Sequence, residues 1–201
     1  RRAKAEGIEL RPVVLGPASF LLLSKAAPGS PEGFAPIERL DDLLPVYADL
    51  LERLAAQGCK CVQFDEPCFT SDRTAADLDA LRHAYTTLSG APTALRTRIL
   101  VTGPYGDLGE ALPILASTNV EAIAVDLVSE PMTAAELGAV PGLKRKRLYA
   151  GVIDGRNVWK AAKGGMSCVF KLAMAFSGSA PLAAVPALDQ RQWLSTGCGR
   201  K

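Results

Sequence analysis

Short apolar segments alternate with amphipathic segments along most of this 201-residue chain. Five of the apolar segments have the length and the β-branched or aromatic content of buried strands. Each of the five is followed by glycine, proline or acidic residues that favour a turn. They cover residues 11–16, 61–65, 98–102, 122–128 and 148–153. Strands that are apolar nearly throughout are typical of a parallel sheet with helices on its faces.

Helical spacing dominates the segments between these strands. In the clearest case Pro45 occupies the first turn and Gly58 the position just past the helix end. Its apolar positions are Leu40, Leu43, Leu44, Tyr47, Leu51 and Leu54. A second helix is predicted to begin with Asp72 as its cap and to end near Gly90. Shorter helices are predicted over residues 107–117 and 133–137, and the chain is expected to enter a loop after Gly16.

The alternation predicts an α/β fold, an incomplete TIM-type (β/α)8 barrel with five βα units visible in residues 1–161. A closed barrel needs eight units and about 250 residues, so an open sheet is the alternative. Residues 162–201 show no sustained period and are predicted to form a divergent, irregular tail. The strands at 11–16 and 148–153 should leave open sheet edges. The chain alone should therefore be marginally stable or associate.

Composition and charge exclude several classes of protein. A content of 48% hydrophobic and 22% charged residues is that of a globular protein. The net charge of +2 gives no reason to expect nucleic acid or an anionic membrane as a partner. No uncharged apolar run reaches the roughly 18 residues of a membrane span, and no leader follows Arg1. We expect a cytoplasmic segment of a longer protein, in which the basic run 144–147 is a solvated loop.

Five cysteines are an odd number, and without a secretion signal they are expected to be reduced. Cys59 and Cys61 lie two residues apart on a strand, a spacing that raises the question of a metal. A zinc site needs three or four convergent ligands, and only Cys68 lies nearby in sequence. No metal site is therefore predicted, and these thiols are interpreted as small fillers at the lower end of the barrel.

The strongest candidate chemistry is the pair Asp65 and Glu66, where Pro67 stops the second strand. The carboxyl ends of parallel strands face the ligand in barrels and in doubly wound sheets. Such a pair can orient an amine, act as a base or bind a metal, or it can simply hold a loop. Asp126 near the end of the fourth strand and Asn157 after the fifth are further substrate-binding candidates. No residue is assigned a catalytic role.

Several segments together resemble the amino-terminal domain of cobalamin-independent methionine synthase. They are RPVVLGPASFLLLSK at 11–25, LDDLLPVYADLLERLAAQGCKCVQFDEPCF at 40–69, AIAVDLV at 122–128 and AGVIDGRNVWKA at 150–161. The resemblance covers residues 1–161, and it departs at Asp154, where asparagine is expected. It implies that the five strands are the fourth to eighth of the amino-terminal barrel. A uroporphyrinogen decarboxylase-like enzyme is disfavoured by the Gly-Arg-Asn-x-Trp element at 155–159.

The resemblance implies a fragment of 5-methyltetrahydropteroyltriglutamate–homocysteine S-methyltransferase, an enzyme of methionine biosynthesis. In this family zinc in a carboxy-terminal barrel turns the homocysteine sulfur into a thiolate. The zinc ligands begin with a His-x-Cys pattern, whereas His83 here is followed by Tyr85. The chain is thus expected to be a scaffold that binds no zinc and is inactive alone, with Asp65 as the counterpart of an amine-binding aspartate. The alternative is a non-catalytic truncated barrel or interaction protein.

Overall fold

The computed structural model describes residues 5–129, 131–154 and 183–187. These residues form a parallel sheet with helices packed on one face. In chain order its elements are β1 (Val13–Leu15), α1 (Pro17–Leu23), α2 (Leu40–Ala56), β2 (Cys61–Asp65), α3 (Ala75–Gly90), β3 (Arg98–Thr102), α4 (Ala111–Ser117), β4 (Ala122–Asp126), α5 (Ala134–Ala139), β5 (Arg147–Asp154) and β6 (Ala183–Ala187). Short 3₁₀ helices lie at Pro36–Arg39, Pro67–Thr70 and Leu143–Arg145. Within the described residues, every helix is too short or too polar to span a lipid bilayer.

The strands lie side by side in their sequence order, β1 to β6, and every neighbouring pair is parallel. This arrangement confirms the α/β prediction and the five predicted strands. The expectation that β5 would be an open edge was wrong, because Ala183–Ala187 pairs with it in the segment predicted to be irregular. Pro186 within that strand hid the signal, since proline is tolerated only in edge strands or bulges. The described edges are therefore β1 and β6, and the domain boundary at residue 161 stays a prediction.

Helix α2 forms as its apolar spacing predicts, but it begins at Leu40, so Pro45 lies inside the helix and not in its first turn. Leu44 and Leu51 are 3% and 1% exposed and face the core. Gly58 follows the helix with a φ of 76°, a left-handed conformation that glycine adopts without strain. The core lies between the helices and one face of the sheet, and Phe64 and Ile99 on that face are fully buried.

Two local predictions were wrong. Helix α3 is capped by Thr74 and not by Asp72, because the Thr74 hydroxyl accepts a hydrogen bond from the Asp77 amide at 3.2 Å. The Asp77 carboxylate in turn accepts one from the Thr74 amide, which completes a capping box. The segment after Gly16 is not a loop but helix α1, with Pro17 at the first helical position, where its missing N–H costs nothing.

The other face of the sheet is concave. Its small apolar cluster consists of Cys61, Leu100, Ala122, Ala124 and Tyr149. The Arg11 guanidinium carbon lies 5.5 Å from the centre of the Tyr149 ring. Arg11 lies just before β1 and Tyr149 lies on β5. These strands are four spacings apart, which in a flat sheet is roughly 19 Å at about 4.8 Å per strand. Only a curved sheet brings them together, as in a barrel. We call this concave surface the inner face.

Candidate functional site

The acidic pair at the end of β2 is divided between two environments, because neighbouring strand residues point to opposite faces. Asp65 alternates with Cys61 and Gln63 and lies on the inner face, half-buried. Glu66 points to the helix side and is fully buried. The backbone N–H of Glu66 donates to Thr102 O at 2.8 Å, which holds the end of β2 against the end of β3. The two carboxylates therefore cannot act together on one substrate.

The Glu66 carboxylate is held by hydrogen bonds from two elements. Its Oε2 accepts from the Ser19 backbone N–H at 2.7 Å, near the start of α1. Its Oε1 accepts from the Tyr85 hydroxyl of α3, also at 2.7 Å. The Ser19 hydroxyl in turn accepts from the Cys68 backbone N–H at 3.2 Å. We call Glu66, Ser19 and Tyr85 the glutamate cluster, and it fastens α1 and α3 to the end of β2.

Gly16 makes room for this cluster. A Cβ atom at position 16 would lie 2.1 Å from Glu66 Oε1, far inside van der Waals contact. The Gly16 backbone N–H also donates to Asp65 O at 2.7 Å, and this bond holds the turn after β1 in contact with the end of β2. This arrangement was not predicted, because Tyr85 falls at an apolar position of the second predicted helix. A tyrosine at such a position generally needs a partner for its hydroxyl, and this requirement was the available signal.

Burial raises the pKa of Glu66 above its ordinary value of 4.5, although hydrogen bonds from Ser19 and Tyr85 oppose the change. The same burial raises the pKa of Tyr85, and the Glu66 charge adds to it. Burial also raises the pKa of Tyr47, a neighbour of the cluster, to about 12, with the Glu66 charge as the second cause. At neutral pH the cluster therefore holds one carboxyl group and one neutral phenol, and the phenol of the neighbouring Tyr47 is neutral as well.

We predict that Glu66 makes stability rise on mild acidification. Because its pKa is higher in the folded chain than in the unfolded chain, the folded chain binds the proton more tightly. The gain begins as pH falls through the folded pKa and is complete below about 4.5. The free energy of unfolding of the native chain minus that of Glu66→Gln, measured by urea denaturation, should rise as pH falls from neutrality. A difference that is constant or falls with acidification would contradict the assignment.

Asp65 is the carboxylate that remains open to the inner face. Its Oδ1 accepts a hydrogen bond from Gln63 Nε2 at 2.7 Å. Burial raises its pKa, and the Gln63 hydrogen bond and the Arg11 charge work in the opposite direction. Thr102 lies opposite Asp65 in the β2–β3 register. Among the described residues, the Gln63 Oε1 and Thr102 Oγ1 atoms are buried without a hydrogen-bond partner. The inner face is thus polar at the carboxyl ends of β2 and β3.

Asp126 holds its own loop. Its Oδ1 accepts from the backbone N–H groups of Val128 and Ser129 at 2.9 and 3.0 Å, and its Oδ2 accepts from the Ser129 hydroxyl at 2.8 Å. This pattern is an Asx-type turn, in which a short acidic side chain replaces backbone partners. Asn157, the fourth candidate, lies outside the described residues. The structure brings Asp65 and Asp126 to the same edge of the sheet, two strands apart.

The described residues contain no group of three histidine, cysteine or acidic side chains arranged to hold a metal ion. His83 lies on the exposed surface of α3, where its Nε2 is 2.6 Å from Asp41 Oδ1 on α2. Cys61 packs in the apolar cluster of the inner face, while the Cys59 thiol donates to Cys61 O at 3.3 Å. The residues present in this part of the chain therefore do not fit a zinc site.

The opposite end of the sheet carries a depression of about 440 Å³ between residues 117–121 and the Arg145–Lys146 pair. Lys146 is 7% exposed, so the expectation that the whole basic run is solvated was wrong for this residue. Its Nζ donates to Thr118 O and Val120 O, and burial lowers its pKa.

At the same end of the sheet, Arg96 donates to both carboxylate oxygens of Glu121. The buried charges at this end are already engaged by the protein itself.

Comparison with known families places most of the chain in one of them. The family described as "Cobalamin-independent synthase, N-terminal domain" matches residues 1–171. A curated 5-methyltetrahydropteroyltriglutamate–homocysteine methyltransferase from Rhodococcus jostii is 52% identical over 159 residues, which are 79% of this chain and 20% of the relative. The protein of that name from Mycobacterium bovis is 50% identical over 161 residues, 80% of this chain and 20% of the relative. The chain thus spans about one fifth of the relatives' length.

Solved structures share the fold at low sequence identity. A B12-independent methionine synthase from Shewanella, in complex with selenomethionine, has a TM-score of 0.67 at 16% identity over 90% of this chain and 57% of its own. A protein described as a vitamin-B12-independent methionine synthase of Listeria monocytogenes has a TM-score of 0.61 at 14% identity, over 91% of this chain and 59% of its own. The likeness supports the barrel-type fold of the open sheet.

Proposed function

Because this chain belongs to the cobalamin-independent synthase family and matches its amino-terminal domain, we propose that it forms part of a methyltransferase's amino-terminal barrel. The intact enzyme would transfer a methyl group from 5-methyltetrahydropteroyltriglutamate to homocysteine, within methionine biosynthesis. The identity to the Rhodococcus jostii relative is the observation that carries this proposal. The carboxy-terminal barrel of the intact enzyme would be the partner of this chain, and a cytoplasmic location belongs to the same proposal.

Within that enzyme the chain acts as a scaffold. The glutamate cluster and Asp126 position the loops at the carboxyl edge of the sheet, since their oxygens are engaged by neighbouring backbone and hydroxyl groups. Asp65 is the candidate that can face a substrate or the second barrel, because it is half-buried on the inner face. Asn157 remains a candidate by its place in the sequence. Zinc belongs to the intact enzyme, and no step is assigned to it in this chain.

The isolated chain is predicted to form no methionine when it is mixed with zinc, methylated folate and homocysteine. The described residues hold no group suited to bind zinc, so nothing there would activate the homocysteine sulfur. Methionine formation can be followed by mass spectrometry. Turnover by the isolated chain that disappears in Asp65→Ala would overturn the scaffold role.

A chimera tests the family function directly. The region of the Rhodococcus jostii enzyme that aligns with this chain is replaced by the corresponding residues of this chain, and methionine formation is measured. We expect activity, because 52% identity over 159 residues preserves the fold and its contacts. Asp65→Ala in the chimera should lower turnover, whereas the exposed Asp79→Ala, with 80% side-chain exposure, should not. A chimera that melts cooperatively but makes no methionine would contradict the proposal.

A further inference from the structure

The depression at the amino ends of β4 and β5 carries polar groups that the rest of the fold does not use. It has a volume of about 440 Å³. One wall is residues 117–121, which lead into β4, and the other is the Arg145–Lys146 pair, which leads into β5. Asp65 lies at the carboxyl end of β2, at the other edge of the sheet. The depression is therefore separate from the candidate site described above.

Lys146 has one N–H group that the protein does not engage. An ammonium group carries three donors. Two of them are used, because Nζ donates to Thr118 O and Val120 O, and Nζ forms no third hydrogen bond with a described residue. The side chain is only 7% exposed, yet it lines the depression. A group bound in the depression is thus the available partner for the third N–H.

Two exposed side chains add further donors to the same lining. The Arg145 guanidinium and the Asn119 amide both line the depression. Neither side chain forms a hydrogen bond or an ion pair within the part of the chain that the structure describes. A guanidinium offers paired N–H groups and an ammonium offers a point charge, and proteins bind phosphate oxygens in both ways. The lining therefore combines two cationic donors and one neutral donor.

The depression has an excess of positive charge. Glu121 is the single carboxylate among its described lining residues, and Arg96 already donates to both Glu121 oxygens. Burial and the Arg145 charge lower the pKa of Lys146, while Glu121 acts in the opposite direction. The two lining cations thus lack a full counter-charge among the described residues. An anion in the depression would supply it.

We propose that this depression binds a small phosphate-type dianion, held by Lys146 Nζ, the Arg145 guanidinium and the Asn119 amide. A phosphate group presents at least three terminal oxygens and about two negative charges, which match three donor side chains and two cations. A single carboxylate has one charge and would leave one cation without a partner. The site goes beyond the proposed function, because it lies at the edge of the sheet opposite Asp65 and takes no part in methyl transfer.

Calorimetric titration of the 201-residue chain with inorganic phosphate, in sodium chloride at constant ionic strength, tests the proposal. We expect a Kd of about 1 mM or below. Arg145→Ala should raise the Kd roughly tenfold, because a charge-assisted contact is lost. Lys144→Ala is the matched control, since it removes the same charge from an exposed neighbour that is not part of the lining. It should change the Kd by less than about twofold.

Two further measurements refine the test. Lys146→Met removes the buried donor and should abolish phosphate binding in a sample that still melts cooperatively. Arg145→Ala provides the answer if Lys146→Met does not fold, because the carbonyls of Thr118 and Val120 lose their donor in that variant. Glycerol phosphate is the second probe. Tighter binding of the ester than of free phosphate would assign the site to a phosphorylated small molecule, and the reverse would assign it to the ion itself.

Three outcomes would overturn the proposal. The first is a phosphate titration whose heat does not exceed that of a chloride titration. The second is a phosphate Kd that Arg145→Ala leaves unchanged. The third is an equal loss of affinity in Arg145→Ala and Lys144→Ala, since this would show diffuse attraction to the basic run and no defined site. Methionine formation is not measured in this experiment, so its failure leaves the proposed function to the chimera.

Discussion

Replacing Gly16 with alanine is expected to lower the free energy of unfolding by about 3 kcal/mol or more, a large part of the stability of a typical domain. The new Cβ would lie 2.1 Å from Glu66 Oε1 and 2.3 Å from Glu66 Cδ. Glu66 cannot move aside without losing its bonds to Ser19 and Tyr85. Leaving a buried carboxyl group without those hydrogen bonds costs about 1–3 kcal/mol for each bond, whereas the entropy gained by replacing glycine is only about 0.4–1 kcal/mol.

Urea denaturation followed by circular dichroism measures this loss. Gly90→Ala is the matched control, because a Cβ at position 90 meets no atom within 4 Å, and this variant should be unchanged or slightly more stable. Glu66→Ala removes the group that the new methyl would strike. In that background Gly16→Ala should add less than about 1 kcal/mol, a coupling that a double-mutant cycle detects. An unaltered urea midpoint for Gly16→Ala alone would contradict the cluster's geometry.

The order of β1 to β5 was predictable because the composition of each buried strand is distinctive, whereas helix α1 and strand β6 were missed. The segment 98–102 has no polar residue between Arg98 and Thr102, and residues Ile99 and Leu100 are both fully buried, one on each face of the sheet. Such a pattern is compatible with little other than a strand covered on both faces. For the same reason the parallel topology followed from sequence without any knowledge of contacts.

Which member of the acidic pair is buried was not predictable. Adjacent carboxylates suggested a shared site, but the period of two along a strand sends Asp65 and Glu66 to opposite faces. Which of the two is buried depends on distant groups, namely Ser19 at 47 positions away in sequence and Tyr85 at 19. The burial of Lys146 had the same cause, since its partners are carbonyls 26 and 28 residues earlier in the chain. Sequence periodicity carries no information on such long-range polar contacts.

Glu121→Ala is expected to lower the free energy of unfolding by about 3–5 kcal/mol, because it leaves a buried guanidinium without its counter-charge. Arg96, whose side chain is 3% exposed, donates to the two Glu121 oxygens at 2.9 and 3.2 Å. It also donates to the carbonyls of Ser89, Ala91 and Thr97, which hold it in place. Glu121 Oε2 accepts from the Ile99 N–H at 2.7 Å, so the variant also removes a bond at the start of β3.

An exposed ion pair is the control that separates the effect of burial on stability from the effect of charge proximity alone. Asp79→Ala removes the partner of Arg82. The Arg82 Nε and Asp79 Oδ1 atoms are 4.0 Å apart, and the Arg82 side chain is 51% exposed. This variant should therefore change the free energy of unfolding by less than about 0.5 kcal/mol. Glu121→Gln retains an acceptor for Ile99 and for one guanidinium N–H, so its loss should lie between those of the two alanine variants. Equal urea midpoints for Glu121→Ala and Asp79→Ala would show that water reaches Arg96 and that this pair contributes little to stability at the start of β3.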